Sequence, residues 1–170
     1  MTKRKVFYSF HYDNDVFRVQ QIRNMGIIDG NEPVTPNNWE EIKRQGDISI
    51  RNWINNEISK SSCVVVLVGS QTSSRKWVKY EIQQAFEQKK GLLGIYIHNL
   101  KDPRTGIDTK GKNPFSLYTS TINGVAINLS SIIRCYEPQP YDAYNDIYNN
   151  LASLVEDAIA SRFRLTGNRF

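Results

Sequence analysis

Two cysteines and two histidines in 170 residues leave little from which to build a disulfide framework or a metal centre. Cys63, Cys135, His11 and His98 are scattered, and no pair has metal-ligand spacing, so no metal is expected. Cys63 opens an apolar run and Cys135 lies in another apolar segment, so both read as reduced packing residues. Glycine (10) and proline (6) are too few to indicate disorder. The longest apolar run, 63–68, falls far short of the roughly 20 residues that span a bilayer. Met1-Thr-Lys-Arg-Lys5 resembles the start of a signal peptide, but Ser9, His11 and Asp13 break the apolar stretch behind it, so it has no secretory h-region. A cytoplasmic protein without a membrane partner is the expectation. Charge of one sign is not concentrated either: 22 Lys and Arg against 17 Asp and Glu give +5, spread along the chain. A basic surface favours anionic ligands, from a dinucleotide to nucleic acid. With no zinc finger, RNA-binding signature or single basic helix, nucleic acid is not expected as a partner.

What is present is enough for a core. With 39% hydrophobic and 23% charged residues, residues 1–170 read as one domain. Lys5-Val-Phe-Tyr-Ser-Phe10 is β-branched and aromatic on both faces, as in a strand inside a parallel sheet. Asp13 or Asp15 can cap a helix through about Met25, which Gly26 ends. Ile27-Ile28 reads as a short second strand, and 29–38 as a loop rich in turn residues. Asp47 is expected to cap a helix carrying Ile50, Trp53, Ile54, Glu57 and Ile58. Next come a strand at 63–68, a helix at about 75–89 and a strand at 92–97. Residues 101–114 read as an exposed insertion, extending to about 124. Either 125–129 or 132–136 supplies the last strand, the second being better placed to feed the final helix. Pro138 and Pro140 precede that amphipathic helix at about 142–163, with Ile147, Leu151, Leu154, Val155, Ala158 and Ile159 on one stripe. This alternation predicts an α/β domain with a parallel sheet.

Open parallel sheets bind ligands at the carboxyl ends of the strands, where the strand order reverses. In the order 2-1-3-4-5, that point lies between strands one and three. The loops meeting there are Phe10-His-Tyr-Asp-Asn14 and 69–74, and the helix leaving the second carries Trp77 and Glu81. A spacing of four stacks these two side chains on one helical face. Glu81 is therefore the candidate catalytic carboxylate. A phosphoacceptor aspartate is absent from the end of strand three, where Val68-Gly69-Ser70 stands. Neither GxxxxGK[ST] nor GxGxxG occurs, and no nucleophile elbow supports a serine triad.

Val6-Phe-Tyr-Ser-Phe-His11 resembles the opening strand of TIR domains, and Ser74-Arg-Lys-Trp77-Val-Lys-Tyr-Glu81 resembles their Trp-x-x-x-Glu helix. More narrowly, Phe7-Tyr-Ser-Phe-His-Tyr12, Trp39-Glu40, Gly69-Ser-Gln-Thr72, Arg75-Lys-Trp-Val-Lys-Tyr-Glu-Ile82 and Gly111-Lys-Asn-Pro-Phe115 are similar to the TIR-like proteins of bacterial Thoeris anti-phage systems. The resemblance implies a flavodoxin-like TIR fold with a five-stranded parallel sheet flanked by helices. It also implies an NAD+ nucleosidase or ADP-ribosyl cyclase, with Glu81 catalytic and NAD+ as substrate rather than cofactor. One departure is that Arg75 stands two residues before the Trp, where many TIR domains have Ser; Ser74 lies one further back.

The chemistry suits the residues. Nicotinamide leaves NAD+ as a neutral molecule, so no general acid is needed, and one carboxylate can oppose the charge developing on the ribose. Ser9, Phe10, His11, Tyr12, Asp13, Trp39, Ser70 and Trp77 are the candidate substrate-binding residues. Phe10, Tyr12 and Trp77 supply stacking surface. Attack by water gives ADP-ribose; attack from within the same nucleotide gives a cyclic ADP-ribose-type signal, which a downstream effector protein would sense. Self-association is also expected, with 29–38 as a contact. By pattern alone, Glu81 would be a solvated helix carboxylate, Trp77 an edge-of-core aromatic, His11 a polar loop residue and Asp13 a helix cap. The competing function is a non-catalytic TIR adaptor acting through self-association or partner binding.

Overall fold

The computed structural model describes residues 3–30 and 36–165. Its centre is β3 (Cys63–Val68), six residues without solvent exposure. β1 (Lys5–Ser9) flanks it on one side and β4 (Gly91–Tyr96) on the other; β2 (Asp29–Gly30) and β7 (Cys135–Tyr136) form the edges. All four pairings are parallel, in the order β2-β1-β3-β4-β7. The expected 2-1-3-4-5 arrangement is thus present, with the reversal between β1 and β3.

Period-two alternation sorts the strands into two cores. Cys63, Val65 and Leu67 join Val6, Tyr8, Leu93 and Ile95 against α1 (Tyr12–Asn24) and α5 (Ala143–Leu165). Val64, Val66 and Val68 join Phe7 and Leu92 against α3 (Asp47–Ser59) and α4 (Lys76–Glu87). Ile50, Ile54 and Ile58 repeat every four residues along α3 and are all buried, each contributing about 1.5–3 kcal/mol. This doubly wound, single-domain α/β architecture is the predicted fold class. Among the described residues, no helix is long and apolar enough to cross a membrane. The cysteines are free, Cys63 buried and Cys135 half-buried.

Local differences from the sequence reading have physical causes. The second strand is Asp29–Gly30 rather than Ile27-Ile28, because parallel pairing of Asp29 with Lys5 and Gly30 with Val6 defines it. α2 (Pro36–Arg44) begins inside the span read as a loop; Pro is well suited to a first helical turn. The predicted contact at 29–38 lies partly outside the described residues, at 31–35. His11, not Asp13 or Asp15, occupies the N-cap of α1, and Asp15 turns inward to Arg18. Gly46 occupies the N-cap of α3, while the Asp47 carboxylate meets Lys76 of α4 at 2.6 Å.

Of the two candidates for the last strand, the segment ending at Tyr136 joins the sheet, but only Cys135–Tyr136 pairs. Residues 125–128 instead form β6 (Val125–Asn128), antiparallel to β5 (Thr119–Ile122). The insertion is not wholly exposed. Asp102, Pro114 and Phe115 are buried, and the segment is fastened to the sheet's carboxyl edge.

Candidate functional site

Alternation along β1 decides where Ser9 points. It shares a face with Phe7, which packs in the α3/α4 core, so its side chain turns towards α4. There the Ser9 hydroxyl donates to Glu81 Oε1 at 2.9 Å, with both residues buried. Glu81 lies on the inner side of α4 with Val78, Ile82 and Ala85. Among the described residues it has no cationic partner. Burial pushes its pKa up to about 8, against the opposing pull of the Ser9 hydrogen bond. At neutral pH the buried Glu81 side chain is therefore largely the neutral acid.

The loop after β1 supplies the surrounding aromatic and polar groups. The Phe10 and Tyr12 rings lie 6.3 Å apart at 34°; Phe10 packs on the α1/α5 core and Tyr12 is 46% exposed. His11 is half-buried, and its Nδ1 is buried without a hydrogen-bond partner among the described residues. Its pKa is lowered by burial and by Arg75, partly opposed by Asp13, so the ring is neutral at pH 7. Asp13 is exposed in the first turn of α1. Trp77 is half-buried, packs on the α3/α4 core, and meets Tyr80 edge-on at 5.8 Å. Lys76 Nζ stands 4.7 Å from the Trp77 ring centroid. The helix does place Trp77 one turn before Glu81. Trp39 lies on α2, and its side chain falls outside what is described.

Ser70 belongs to a second cluster. Its hydroxyl donates to Asp108 Oδ2 at 2.9 Å, and Asn14 Nδ2 donates to the same oxygen at 3.0 Å. Behind them, Arg18 is 1% exposed. It donates to Asp15 at 3.2 Å, to the Leu100 carbonyl at 2.9 Å and to the Gly106 carbonyl at 2.8 Å. This one guanidinium joins α1 to the insertion. Asp15, fully buried, has its pKa raised by burial and lowered less by Arg18 and Asn14.

Two glycines make this junction possible. A Cβ on Gly69 would lie 2.1 Å from Asp15 Oδ2, and one on Gly111 would lie 2.0 Å from the Gly69 carbonyl oxygen. The end of β3 is thus sandwiched between α1 and the insertion with no room for a side chain.

Sequence reasoning misses Asn14, Asp15, Arg18 and Asp108 as site residues. The Asp15–Arg18 spacing of three on a helix is a usable signal. Asp108 carries none, since its partners stand 94 and 38 residues away.

Comparison with known proteins agrees with this architecture. The family model described as "Thoeris protein ThsB, TIR-like domain" matches residues 7–102. A relative from Bacillus cereus (strain MSX-D12), named "Putative cyclic ADP-D-ribose synthase ThsB1", is 38% identical over 117 residues. That alignment covers 66% of this chain and 61% of the relative, so less than two thirds of the relative's length is matched. With the family match covering more than half of its residues, the chain belongs to the TIR-like domain family of the Thoeris protein ThsB.

Proposed function

We propose that this protein is a TIR enzyme of Thoeris anti-phage defence that cleaves NAD+ at the nicotinamide–ribose bond and closes the remainder into a cyclic ADP-ribose-type signal. The observation that carries the reading is the buried Ser9–Glu81 pair, 2.9 Å apart, at the carboxyl edge of the central strands. The name of the Bacillus cereus relative supports the product class.

Glu81 is the catalytic residue in this scheme. The pyridinium ring of NAD+ brings a positive charge to a carboxylate whose surroundings are otherwise apolar, so substrate binding favours the ionised form. As the C–N bond breaks, its electron pair goes to nicotinamide, which leaves neutral, and positive charge passes to the ribose. A fixed carboxylate opposes that charge more strongly in the transition state than in the ground state. Ser9 holds the carboxylate in place. Phe10, Tyr12 and Trp77 cover the ring and keep water from the reactive carbon, while His11, Asp13, Trp39 and Ser70 contribute to substrate binding. A nucleophile elsewhere in the same nucleotide then forms the new bond to that carbon and loses its proton to solvent, so NAD+ yields nicotinamide, the cyclic product and one proton.

The protein acts in the cytoplasm, self-associates to complete its sites, and passes its product to a downstream effector protein. The direct test is to measure nicotinamide release from NAD+ by wild-type and Glu81→Gln protein, purified and in lysate of phage-infected cells. Release that depends on Glu81 upholds the reading; release that survives the substitution removes it.

A further inference from the structure

Two serine–carboxylate pairs flank the reversal of strand order. Ser9 at the end of β1 donates to Glu81, and Ser70, just beyond β3, donates to Asp108; both bonds are 2.9 Å. Their settings differ. Glu81 is buried among apolar side chains, whereas the Asp108 side chain is 27% exposed and Ser70 is half-buried. The second pair is open to a ligand.

The hydrogen bonds around the pair define the kind of ligand. Asp108 Oδ2 accepts from Ser70 and from Asn14, and Asp108 Oδ1 accepts from its neighbour's amide, Thr109 N–H, at 2.7 Å. A carboxylate oxygen can accept twice, so Oδ1 keeps a free acceptor position. The Ser70 proton is committed to Asp108, and Asn14 reaches the Ser70 oxygen only at 3.4 Å, which leaves that oxygen an acceptor as well. These two free acceptors, Ser70 Oγ and Asp108 Oδ1, stand on neighbouring groups joined through Asp108 Oδ2, and together they match a pair of vicinal hydroxyl donors. An exposed carboxylate disfavours phosphate, and the cation behind it does not offset this at the surface: Arg18 is buried and 4.0 Å from Asp108.

Burial raises the Asp108 pKa, but hydrogen bonds from Asn14, Thr109 and Ser70 outweigh it, so the net shift is downward and the group stays ionised. A carboxylate at the edge of a parallel α/β sheet holding ribose hydroxyls is a known solution to sugar recognition.

We infer that Ser70 and Asp108, oriented by Asn14 and backed by Arg18, form a ribose-diol subsite separate from the Ser9–Glu81 pair. Resting on the proposed reading, it takes the adenosine ribose of the dinucleotide through its 2′- and 3′-hydroxyls while the other pair faces the scissile bond. The insertion carrying Asp108 is then a wall of the site, which accounts for its fastening through Arg18 and the close Gly69–Gly111 contact.

The test is binding rather than turnover. ADP and 2′,3′-dideoxy-ADP, identical but for the two hydroxyls, are titrated calorimetrically into wild type and into the Asp108→Asn and Ser70→Ala variants, each checked for an unchanged circular dichroism spectrum. Wild type should prefer the hydroxylated ligand by tenfold or more, and each substitution should reduce that preference to threefold or less while leaving the dideoxy ligand's affinity within twofold. Equal binding of the two ligands by wild type, or a preference that survives Asp108→Asn, overturns the subsite. So does a substitution that weakens both ligands alike, since that marks a merely structural role. If Asp108→Asn fails to fold, Ser70→Ala carries the same test. Nicotinamide release is measured separately, so NAD+ cleavage with an intact diol preference in Asp108→Asn rejects the subsite alone. Diol preference without NAD+ cleavage rejects the catalytic reading alone.

Discussion

Among the described residues, Ser9 is the one hydrogen-bond partner of the Glu81 side chain, and it comes from the strand behind the helix that carries the carboxylate. The pair joins the first element of the fold to the fourth helix. It also lowers a pKa that burial would otherwise raise further.

Ser9→Ala should therefore move the pH dependence of catalysis. With Glu81 at about 8, kcat/KM for NAD+ should rise with pH as the carboxylate ionises, with its acidic limb near that value. Removing the donor costs the ionised form about 1.5–3 kcal/mol, so the limb should shift at least one pH unit upward. A pH–rate profile that stays in place would show that the bond does not tune the carboxylate.

Stability should respond in the opposite sense to pH. Folding raises the Glu81 pKa from an ordinary value of 4.5 to about 8, so the fold binds its proton more tightly than the unfolded chain does. The resulting stabilisation is full below pH 4.5 and is lost as pH rises through about 8, at about 1.4 kcal/mol per unit. Glu81→Gln avoids that loss. Urea unfolding should find the variant close to wild type near pH 4.5 and about a few kcal/mol more stable near pH 8.5. Parallel stability curves across that range would contradict the burial of an ionisable Glu81.

Arg18→Met should be far more damaging than its double variant with Asp15→Leu. Removing Arg18 alone leaves the buried Asp15 carboxylate without its cation, at about 3–5 kcal/mol, whereas the double variant removes that uncompensated charge and keeps only the cost of the Leu100 and Gly106 carbonyls that Arg18 also served. Urea denaturation of the two single variants and the double variant reads the coupling. Additive losses would mean that the two side chains do not act as a pair.

Much of this architecture is legible in the order of the residues. The unbroken apolar run at 63–68 marks a central strand, and the Trp77–Glu81 spacing places the carboxylate one turn beyond the ring. The parallel sheet is implied by the alternation of elements. What a linear reading misses is long-range. Asp29–Gly30 is a strand only because β1 pairs with it, and Asp47 leaves the capping role for a lysine 29 residues away. The insertion reads as solvent-facing because its composition is polar, yet Arg18, 88 residues from Gly106, holds it in place. The site obeys the same rule: Glu81 announces itself through a local motif, and Asp108 does not.

Aromatic cover should govern the product. Tyr12 is 46% exposed, so Tyr12→Ala should leave the fold intact while admitting water to the reactive carbon. The expected outcome is a several-fold larger share of linear ADP-ribose, read by chromatography with mass detection. An unchanged product ratio would remove Tyr12 from the pocket.

The central claim is tested most directly by incubating wild-type and Glu81→Gln protein with NAD+, before and after a phage trigger, and resolving the products by mass. The account predicts nicotinamide together with a product one water lighter than ADP-ribose from wild type, and neither from Glu81→Gln. NAD+ left intact by the wild type after triggering would contradict it and leave a non-catalytic adaptor. Only linear ADP-ribose would leave an NAD+ hydrolase.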